Sequence, residues 1–368
     1  MKNLAKKQPR RYFDYPMLFI TLFLVGFGLV MIYSTSSYTS QIRYGNTTHW
    51  LVRQAGIAVG SLIMMFGITM FDYRRLKNKL WANICYGGAF FSLLAVLVLG
   101  VATKGSKRWI SILGIQIQPS EFAKVLLILF LAYYLSINSH KIKTLKDALK
   151  WVLIALPIIG LVIVENLSTA IVLCAVTGIL IFVISPCSKQ LIMLAVAVFG
   201  AGTAYLFFGP AYRMERIQIW LDPEHHEKGL QTMQSLYAIG SGGIFGKGLG
   251  QSMQKMGFIP ESHNDMIFSI VCEELGLFGA FAIICVFLVL IWRILIIAMN
   301  APDLFGSLIA IGVAVHVSMQ MLINIGVVTN LFPPTGIPLP FISYGGSSLM
   351  ALLMEMGLVL SISRQIKV

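Results

Sequence analysis

The sequence predicts an all-α polytopic membrane protein: a single ten-transmembrane-helix bundle with a large extracytoplasmic loop between helices 7 and 8. Three observations predict it. The chain is 57 % hydrophobic and 12 % charged, whereas roughly a quarter of the residues in an ordinary soluble domain are charged. Its apolar runs are continuous rather than alternating, and most approach the ~20 residues a helix needs to cross the hydrocarbon layer, which selects helices over a barrel. Its basic residues gather at one set of run ends, as the positive-inside rule requires.

The first span, residues 16–33, follows Arg10-Arg11 and resembles a signal peptide. It is long, however, and lacks a small-residue cleavage pattern before Ser34-Thr35-Ser36-Ser37, so it is expected to stay as a helix. Residues 51–70 and 81–101 form the second and third spans, with Arg74-Arg75 and Lys77, Lys79 between them. The fourth, 119–135, carries Glu121 and Lys124 one helical turn apart. The fifth, 151–164, is short, and Glu165-Asn166-Leu167-Ser168 interrupts it before the sixth, 168–184; a tight polar turn explains the interruption. The seventh span is 191–208, the eighth 266–292, the ninth 304–325 and the tenth 347–362.

Lys6-Lys7, Arg10-Arg11, the Arg74 to Lys79 cluster and Lys141, Lys143, Lys146 and Lys150 all fall on one side of this arrangement, which is therefore cytoplasmic. Both termini are then inside, and the polar insert 209–264 faces outward. No internal repeat or long linker divides the chain, so residues 1–368 read as one domain. The net charge of +13 sits mostly in short juxtamembrane loops, where topology and anionic headgroups of membrane lipids account for it, so nucleic acid is discarded as a partner. The five cysteines fall in spans or a short cytoplasmic turn and indicate neither a disulfide nor a zinc site.

Chemistry concentrates in and around the insert. Arg213 to Trp220 alternates basic and apolar residues, and Leu230, Met233 and Tyr237 recur at helical spacing; both suit helices lying in the headgroup plane. Gly240, Gly242-Gly243, Gly246, Gly248 and Gly250 forbid a long regular helix and let backbone approach backbone or ligand, although such a cluster is also an ordinary turn. Asp265 opens the eighth span, where an aspartate is as readily a cap as a catalytic group. Glu261 and His263 precede it, and the same loop carries Arg213, Arg216, Lys247 and Lys255. A carboxylate beside low-dielectric material can become a general base, and flanking cations bind an anion.

Glu121 and Lys124 read either as a structural ion pair or, with Lys107 and Arg108 above them, as part of a phosphate-holding cavity. Glu273 and Glu274 lie within the eighth span and need cationic or hydroxyl partners. The Pro- and Gly-rich stretch from Thr335 to Ser348, which includes Ser343, is expected to fold tightly and line a cavity. His225-His226 and His316 receive no role.

These motifs, in this order, resemble the SEDS family (shape, elongation, division and sporulation), which includes RodA, FtsW and SpoVE. The resemblance rests on Asp14-Tyr15, Arg108-Trp109-Ile110, Gln118-Pro119-Ser120-Glu121-Phe122-Ala123-Lys124, Leu221-Asp222-Pro223, Gln234-Ser235 through Gly250-Gln251-Ser252, Pro260 to Asp265, Glu273-Glu274-Leu275-Gly276 and Pro338 to Ser348. It runs almost end to end, and the segments around Gln231 to Ser252 and Pro338 to Ser348 are nearer FtsW and SpoVE. Two departures stand out: Asn264 and Met266 replace a threonine and an aromatic flanking the aspartate, and Glu165-Asn166 stands where a Pro-Asp pair is common.

The resemblance implies a peptidoglycan glycosyltransferase of the bacterial cytoplasmic membrane that polymerises lipid II at the outer leaflet beside a class B penicillin-binding protein. Asp265 corresponds to the family's essential aspartate and is expected to act as general base. Lys107, Arg108, Glu121, Lys124, Arg213, Arg216, Lys247, Lys255, His263 and Ser343 are expected to bind substrate or its pyrophosphate, with a divalent cation, Mg or Mn, as an expected aid to the leaving group. The rival readings are a transporter that flips lipid II, suggested by the broken spans and intramembrane charges, and a scaffold that only recruits a transpeptidase.

Overall fold

The computed structural model describes residues 12–103, 106–112, 115–194, 196–197, 200, 218–226 and 229–367. In chain order the helices are α1 (Tyr15–Tyr44), α2 (His49–Met70), α3 (Lys79–Leu99), α4 (Pro119–Asn138), α5 (Leu145–Glu165), α6 (Leu167–Ile184), α7 (Leu230–Ser241), α8 (Ile267–Asn300), α9 (Leu304–Val328) and α10 (Gly346–Ser363). All but the short α7 are long and apolar enough to cross a membrane, which makes nine spans among the described residues. The expected seventh span, 191–208, falls largely outside them.

Helix ends follow local chemistry. Asp14 caps α1 by accepting from the Met17 amide at 2.9 Å, and Gly45 closes it in the left-handed region (φ 67). Thr144 and Asp147 form a reciprocal capping box at the start of α5. That cap lets α5 begin at Leu145, so the fifth span has 21 residues and is not short. Asn166 is extended (φ −155, ψ 100) and accepts from the Ser168 amide at 3.1 Å, ending α5 and starting α6 within one residue. The polar break is thus a capped turn.

Residues 101–117 add a feature the helical reading omitted, a small antiparallel sheet in the order β1 (Val101–Thr103), β2 (Ser106–Ile112), β3 (Ile115–Ile117). Val101 pairs with Trp109, and Ile110 with Ile117. Segments this rich in branched residues at a membrane surface satisfy their backbone by pairing. The sheet lies between α3 and α4 in sequence and positions Arg108.

α4, α9 and α10 are the most enclosed helices, and α10 runs along α2. Gly357 makes that approach possible: a Cβ there would lie 2.8 Å from the Met65 carbonyl. Gly28 does the same for α1 and the 331–345 segment, with a built Cβ 2.6 Å from the Phe341 carbonyl.

One side of the bundle gathers the chain ends and alternate helix turns. Tyr12 N–H donates to the Ile366 carbonyl at 3.0 Å, Arg293 pairs with Asp14 at 2.6 Å, the Tyr73 hydroxyl donates to Asp303 at 2.8 Å, and Cys187 Sγ, beyond α6, lies 3.2 Å from the Lys143 carbonyl. α6 ends on this side and α8 starts on the other.

Roughly two and a half turns into α8, Gly276 leaves the helix (φ 70, ψ −171). The freed backbone groups are satisfied by a neighbouring segment. Lys247 and Gly248 amides donate to the Glu273 and Glu274 carbonyls at 3.0 and 2.9 Å, and Leu277 and Phe278 amides donate to the Gly243 and Ile244 carbonyls at 2.9 and 3.0 Å. A Cβ at Gly276 or Gly246 would collide with this backbone, which explains the glycines. The insert thus folds back along α8 to the level of its break, exposing Ile244 and Phe245 beside Leu277 and Phe278. Non-helical chain is tolerated at such depth because its polar groups are paired.

α7 forms where the helical spacing of Leu230, Met233 and Tyr237 was expected, and it buries its small-residue face. Thr232, Ser235 and Ala238 pack inward, with the Ser235 hydroxyl donating to the Val328 carbonyl at 3.0 Å, whereas Leu230 and Tyr237 are exposed. Small residues permit close packing on α9, and the large apolar ones are left facing outward.

Candidate active site

Asp265 lies two residues before Ile267, the first residue of α8, whose N-cap position is taken by Met266, so Asp265 does not occupy the capping position. It is half-buried at the end of the insert. Its backbone carbonyl accepts from Asn324 Nδ2 at 2.7 Å, and the same nitrogen donates to the Ile337 carbonyl at 2.8 Å. One side-chain amide therefore fixes the aspartate relative to the 331–345 segment.

Gly336, next to Ile337, is where the chemistry converges. A Cβ built on it would lie 3.9 Å from Asp265 Oδ2 and 4.0 Å from Arg108 Nη1. The absence of a side chain leaves carboxylate and guanidinium facing a common space. Arg108, on β2, is itself anchored by donating Nε–H to the Glu165 carbonyl at 2.8 Å.

Gly336, Ile337 and Pro338 also roof a small polar cavity whose floor is formed by Glu121, Lys124, Asn166 and Gln320. Glu121 and Lys124 are both 3 % exposed and paired at 3.0 Å. Gln320 donates Nε2–H to the Pro338 carbonyl at 3.0 Å, while its Oε1 has no protein partner. An unsatisfied buried acceptor beside a cavity marks a place for a polar ligand group or water. Gly336 therefore borders both the Glu121–Lys124 cavity and the space faced by Asp265 and Arg108.

His263 lies in an aromatic cluster, with ring centroids 5.2 Å from Trp50 and 5.5 Å from Tyr344, and its carbonyl accepts from the Tyr344 amide at 2.9 Å. Burial pushes the Tyr344 hydroxyl above its ordinary pKa, against the opposing charge of Arg53.

Three expected substrate contacts are committed elsewhere. Lys247 pairs with Glu273 at 2.7 Å, and Glu273 also takes the Ser252 hydroxyl. Lys255, 4 % exposed, pairs with Glu274 at 2.8 Å, and Ser34 donates to the same carboxylate at 2.7 Å. These are the partners that Glu273 and Glu274 required, so the two lysines hold the insert to α8. Ser343, also buried, accepts from the Leu339 amide at 2.8 Å and closes the turn. Arg213 and Arg216 lie outside the described residues. Lys107 pairs through its backbone with Ala102, and its side chain lies outside the described ones.

Sequence reasoning missed Asn324, Gln320 and Trp50, and had Gly336 and Tyr344 only as part of the 335–348 stretch expected to line a cavity. Asn324 and Gln320 had a usable signal, since amides in an apolar span need partners. Glu355 was also missed: it takes His316 Nδ1 at 2.7 Å, both fully buried, so His316 is packed and hydrogen-bonded.

The described residues do not fit a protein-held Mg or Mn ion. They hold no group of three or more His, Cys, Asp or Glu side chains, Glu121, Glu273 and Glu274 are each taken by a lysine, and Asp265 shares its space with a guanidinium.

The FtsW/RodA/SpoVE family, described as cell cycle protein, matches residues 15–368. Stage V sporulation protein E of Bacillus subtilis (strain 168) is 39 % identical over 363 residues, covering 95 % of this chain and 97 % of that protein. The protein named probable peptidoglycan glycosyltransferase FtsW from Trichlorobacter lovleyi is 37 % identical over 374 residues, covering 96 % and 94 %. Among solved structures, a chain of a peptidoglycan synthase complex, studied for its structural coordination of polymerization and crosslinking, superposes with a TM-score of 0.81 at 30 % identity, covering 96 % of this chain and 98 % of that one. The rod shape determining protein RodA of Thermus thermophilus gives 0.72 at 28 % identity, covering 96 % and 97 %.

Proposed function

The chain belongs to the FtsW/RodA/SpoVE family of cell cycle proteins and is a peptidoglycan glycosyltransferase; we propose that it polymerises lipid II at the outer face of the cytoplasmic membrane, with Asp265 as general base. Asp265 takes the proton of the 4-hydroxyl of an acceptor N-acetylglucosamine. The oxygen attacks the anomeric carbon of a lipid-linked N-acetylmuramic acid, the bond from that carbon to the phosphate oxygen breaks, and undecaprenyl pyrophosphate leaves with the electron pair. The configuration inverts. Arg108 supplies positive charge where the leaving group gains negative charge, and Lys124 adds to it from the cavity floor.

The observation that carries this reading is the meeting of Asp265 and Arg108 over Gly336, at the mouth of the Glu121–Lys124 cavity. A base and a cation facing one space suit proton removal coupled to departure of an anion. The flipping alternative drew on the broken fifth and sixth spans and on intramembrane charges, but the break is a capped turn at Asn166, and Glu121, Glu273 and Glu274 are each paired with a lysine. Outward placement of Asp265 and cytoplasmic placement of both termini follow from the basic clusters. A class B penicillin-binding protein is the proposed partner, supported by the likeness to a chain of a peptidoglycan synthase complex.

The test is polymerisation of purified lipid II, resolved on a gel, by Asp265→Ala and Asp265→Asn proteins whose folding is verified by thermal unfolding. A loss of ~10²–10⁴ in rate is expected. Glycan strands of near-normal yield would remove Asp265 from the mechanism.

A further inference from the structure

On the side of the bundle where the chain ends meet, the start of α1, the last turn of α2 and the residue that ends α10 enclose an open groove of about 670 Å³. Its lining is apolar, with Tyr12, Phe13 and Tyr15 on one element and Phe66 and Met70 on the other, apart from Thr69 and Arg364. Hydrogen bonds and ring packing hold it in shape. The Tyr12 amide donates to the Ile366 carbonyl at 3.0 Å, the Phe13 ring meets Tyr15 edge-on at 4.8 Å, and Arg364 Nη1–H donates to the Thr69 carbonyl at 3.0 Å. Arg364 has no acidic partner among the described residues. The acids at this end are taken: Asp14 by Arg293 at 2.6 Å, Asp303 by Lys77 at 3.0 Å, and Asp72 by the Arg74 amide at 3.0 Å. A guanidinium that spends one donor on a neutral carbonyl keeps its charge and the rest of its fork for an anion, and phosphate fits that fork. Capping α2 alone accounts for one donor and leaves the apolar groove beside it unexplained.

We propose that this groove binds a membrane phospholipid with an anionic headgroup, its phosphate on Arg364 and an acyl chain along α1 and α2. The apolar lining continues from the groove into both spans. On α1, Tyr15, Phe19 and Phe23 are exposed at i, i+4 spacing, and on α2 Met70, Phe66, Ile63 and Val59 are exposed at the spacing of one helix face. A soluble anion is matched by Arg364 and not by these stripes; an uncharged lipid is matched by the stripes and not by Arg364. The volume lies within the roughly 300–1,000 Å³ of sites that are mostly apolar with a few polar groups. Arg74 and Arg75 after α2 and Lys367 after α10 are exposed at the same end and add to the attraction for an anionic headgroup. The site lies at the opposite end of the bundle from Asp265, and the proposal stands independently of the glycosyltransferase chemistry.

The test uses the full chain in detergent micelles, as wild type, Arg364→Gln, Met70→Glu and Lys79→Gln. Native mass spectrometry counts retained lipid, and thermal unfolding follows titration with phosphatidylglycerol, phosphatidylethanolamine or inorganic phosphate. Phosphatidylglycerol is expected to bind wild type saturably and to raise its unfolding temperature with concentration, as a ligand of the folded state does. Phosphatidylethanolamine should bind about tenfold more weakly, and inorganic phosphate should leave the temperature unmoved. Arg364→Gln should lose about tenfold in phosphatidylglycerol affinity, the scale of one hydrogen bond to a charged group. Met70→Glu keeps Arg364 and sets a carboxylate against the phosphate, so it should lose as much, and it decides alone if Arg364→Gln does not fold. Lys79→Gln, exposed at the same end but outside the groove, should keep wild-type affinity. An equal loss in Lys79→Gln marks diffuse surface attraction, an equal response to phosphatidylethanolamine or inorganic phosphate marks the wrong ligand, and a dimer in place of a lipid-bound monomer marks a second copy. Each of these overturns the proposal, as does wild type without saturable binding.

Discussion

Asn324 donates its side-chain amide to the backbone carbonyl of Asp265 at 2.7 Å, so a residue near the C-terminal end of an apolar span sets where the candidate base stands. The same nitrogen reaches Ile337, which ties the aspartate to the Gly336 segment. Asn324→Leu fills similar space but leaves two buried carbonyls unpaired, at roughly 1–3 kcal/mol each. The polymerisation rate should fall by up to ~10²-fold, the scale of a misplacement of about 1 Å, while Asp265 itself is intact. Lipid II turnover measured beside thermal unfolding checks this; an unchanged rate in a folded protein shows that Asp265 is held by other contacts.

Lys255 is expected to act on stability and not on substrate. Lys255→Met leaves Glu274 buried with only Ser34 and the Ser252 amide against it. Removing one partner of a buried pair costs about 3–5 kcal/mol, whereas replacing both partners can be neutral. The single variant should unfold at markedly lower temperature, and Lys255→Met combined with Glu274→Gln should recover much of the loss. KM for lipid II should not change in either. A raised KM at unaltered stability restores Lys255 to the substrate contacts that its sequence position first suggested.

That reassignment shows where the sequence was readable and where it was not. The nine described spans and the place of Asp265 just before α8 follow from hydropathy and the loop motif, because each signal is local. The partners of Lys247 and Lys255 were hidden because they depend on Gly276 breaking a helix inside an unbroken apolar run, and a lone glycine there is compatible with an intact span. Only the pairing of Gly243 and Ile244 with Leu277 and Phe278 reveals the break. The Gly336 convergence was hidden for a related reason: Arg108, Asp265 and Gly336 come from three distant segments, and no spacing rule links them. Asn166 was legible as a turn, yet the unpaired state of Glu165 beside it needed coordinates.

On the opposite side of the bundle, Asp303 fastens the α2–α3 turn to the start of α9. It accepts from the Tyr73 hydroxyl at 2.8 Å, from Lys77 at 3.0 Å and from the Gly306 amide at 3.0 Å. Burial alone would raise its pKa, but the Gly306 amide, Tyr73 and Lys77 together outweigh burial and hold it below the ordinary 3.8. A carboxyl group with a depressed folded-state pKa stabilises the fold fully above its unfolded value, and that contribution is lost as pH falls through the folded one. Wild-type protein in detergent should therefore lose melting temperature as pH drops from about 4 downward, near the reference carboxylate range. Asp303→Asn should be less stable at neutral pH and show a shallower decline over that window, because the proton-linked contribution is gone. Parallel decline of the two proteins places the acid sensitivity in other groups and leaves the Tyr73–Asp303–Lys77 fastening as a contact held by hydrogen bonding without a net charge effect.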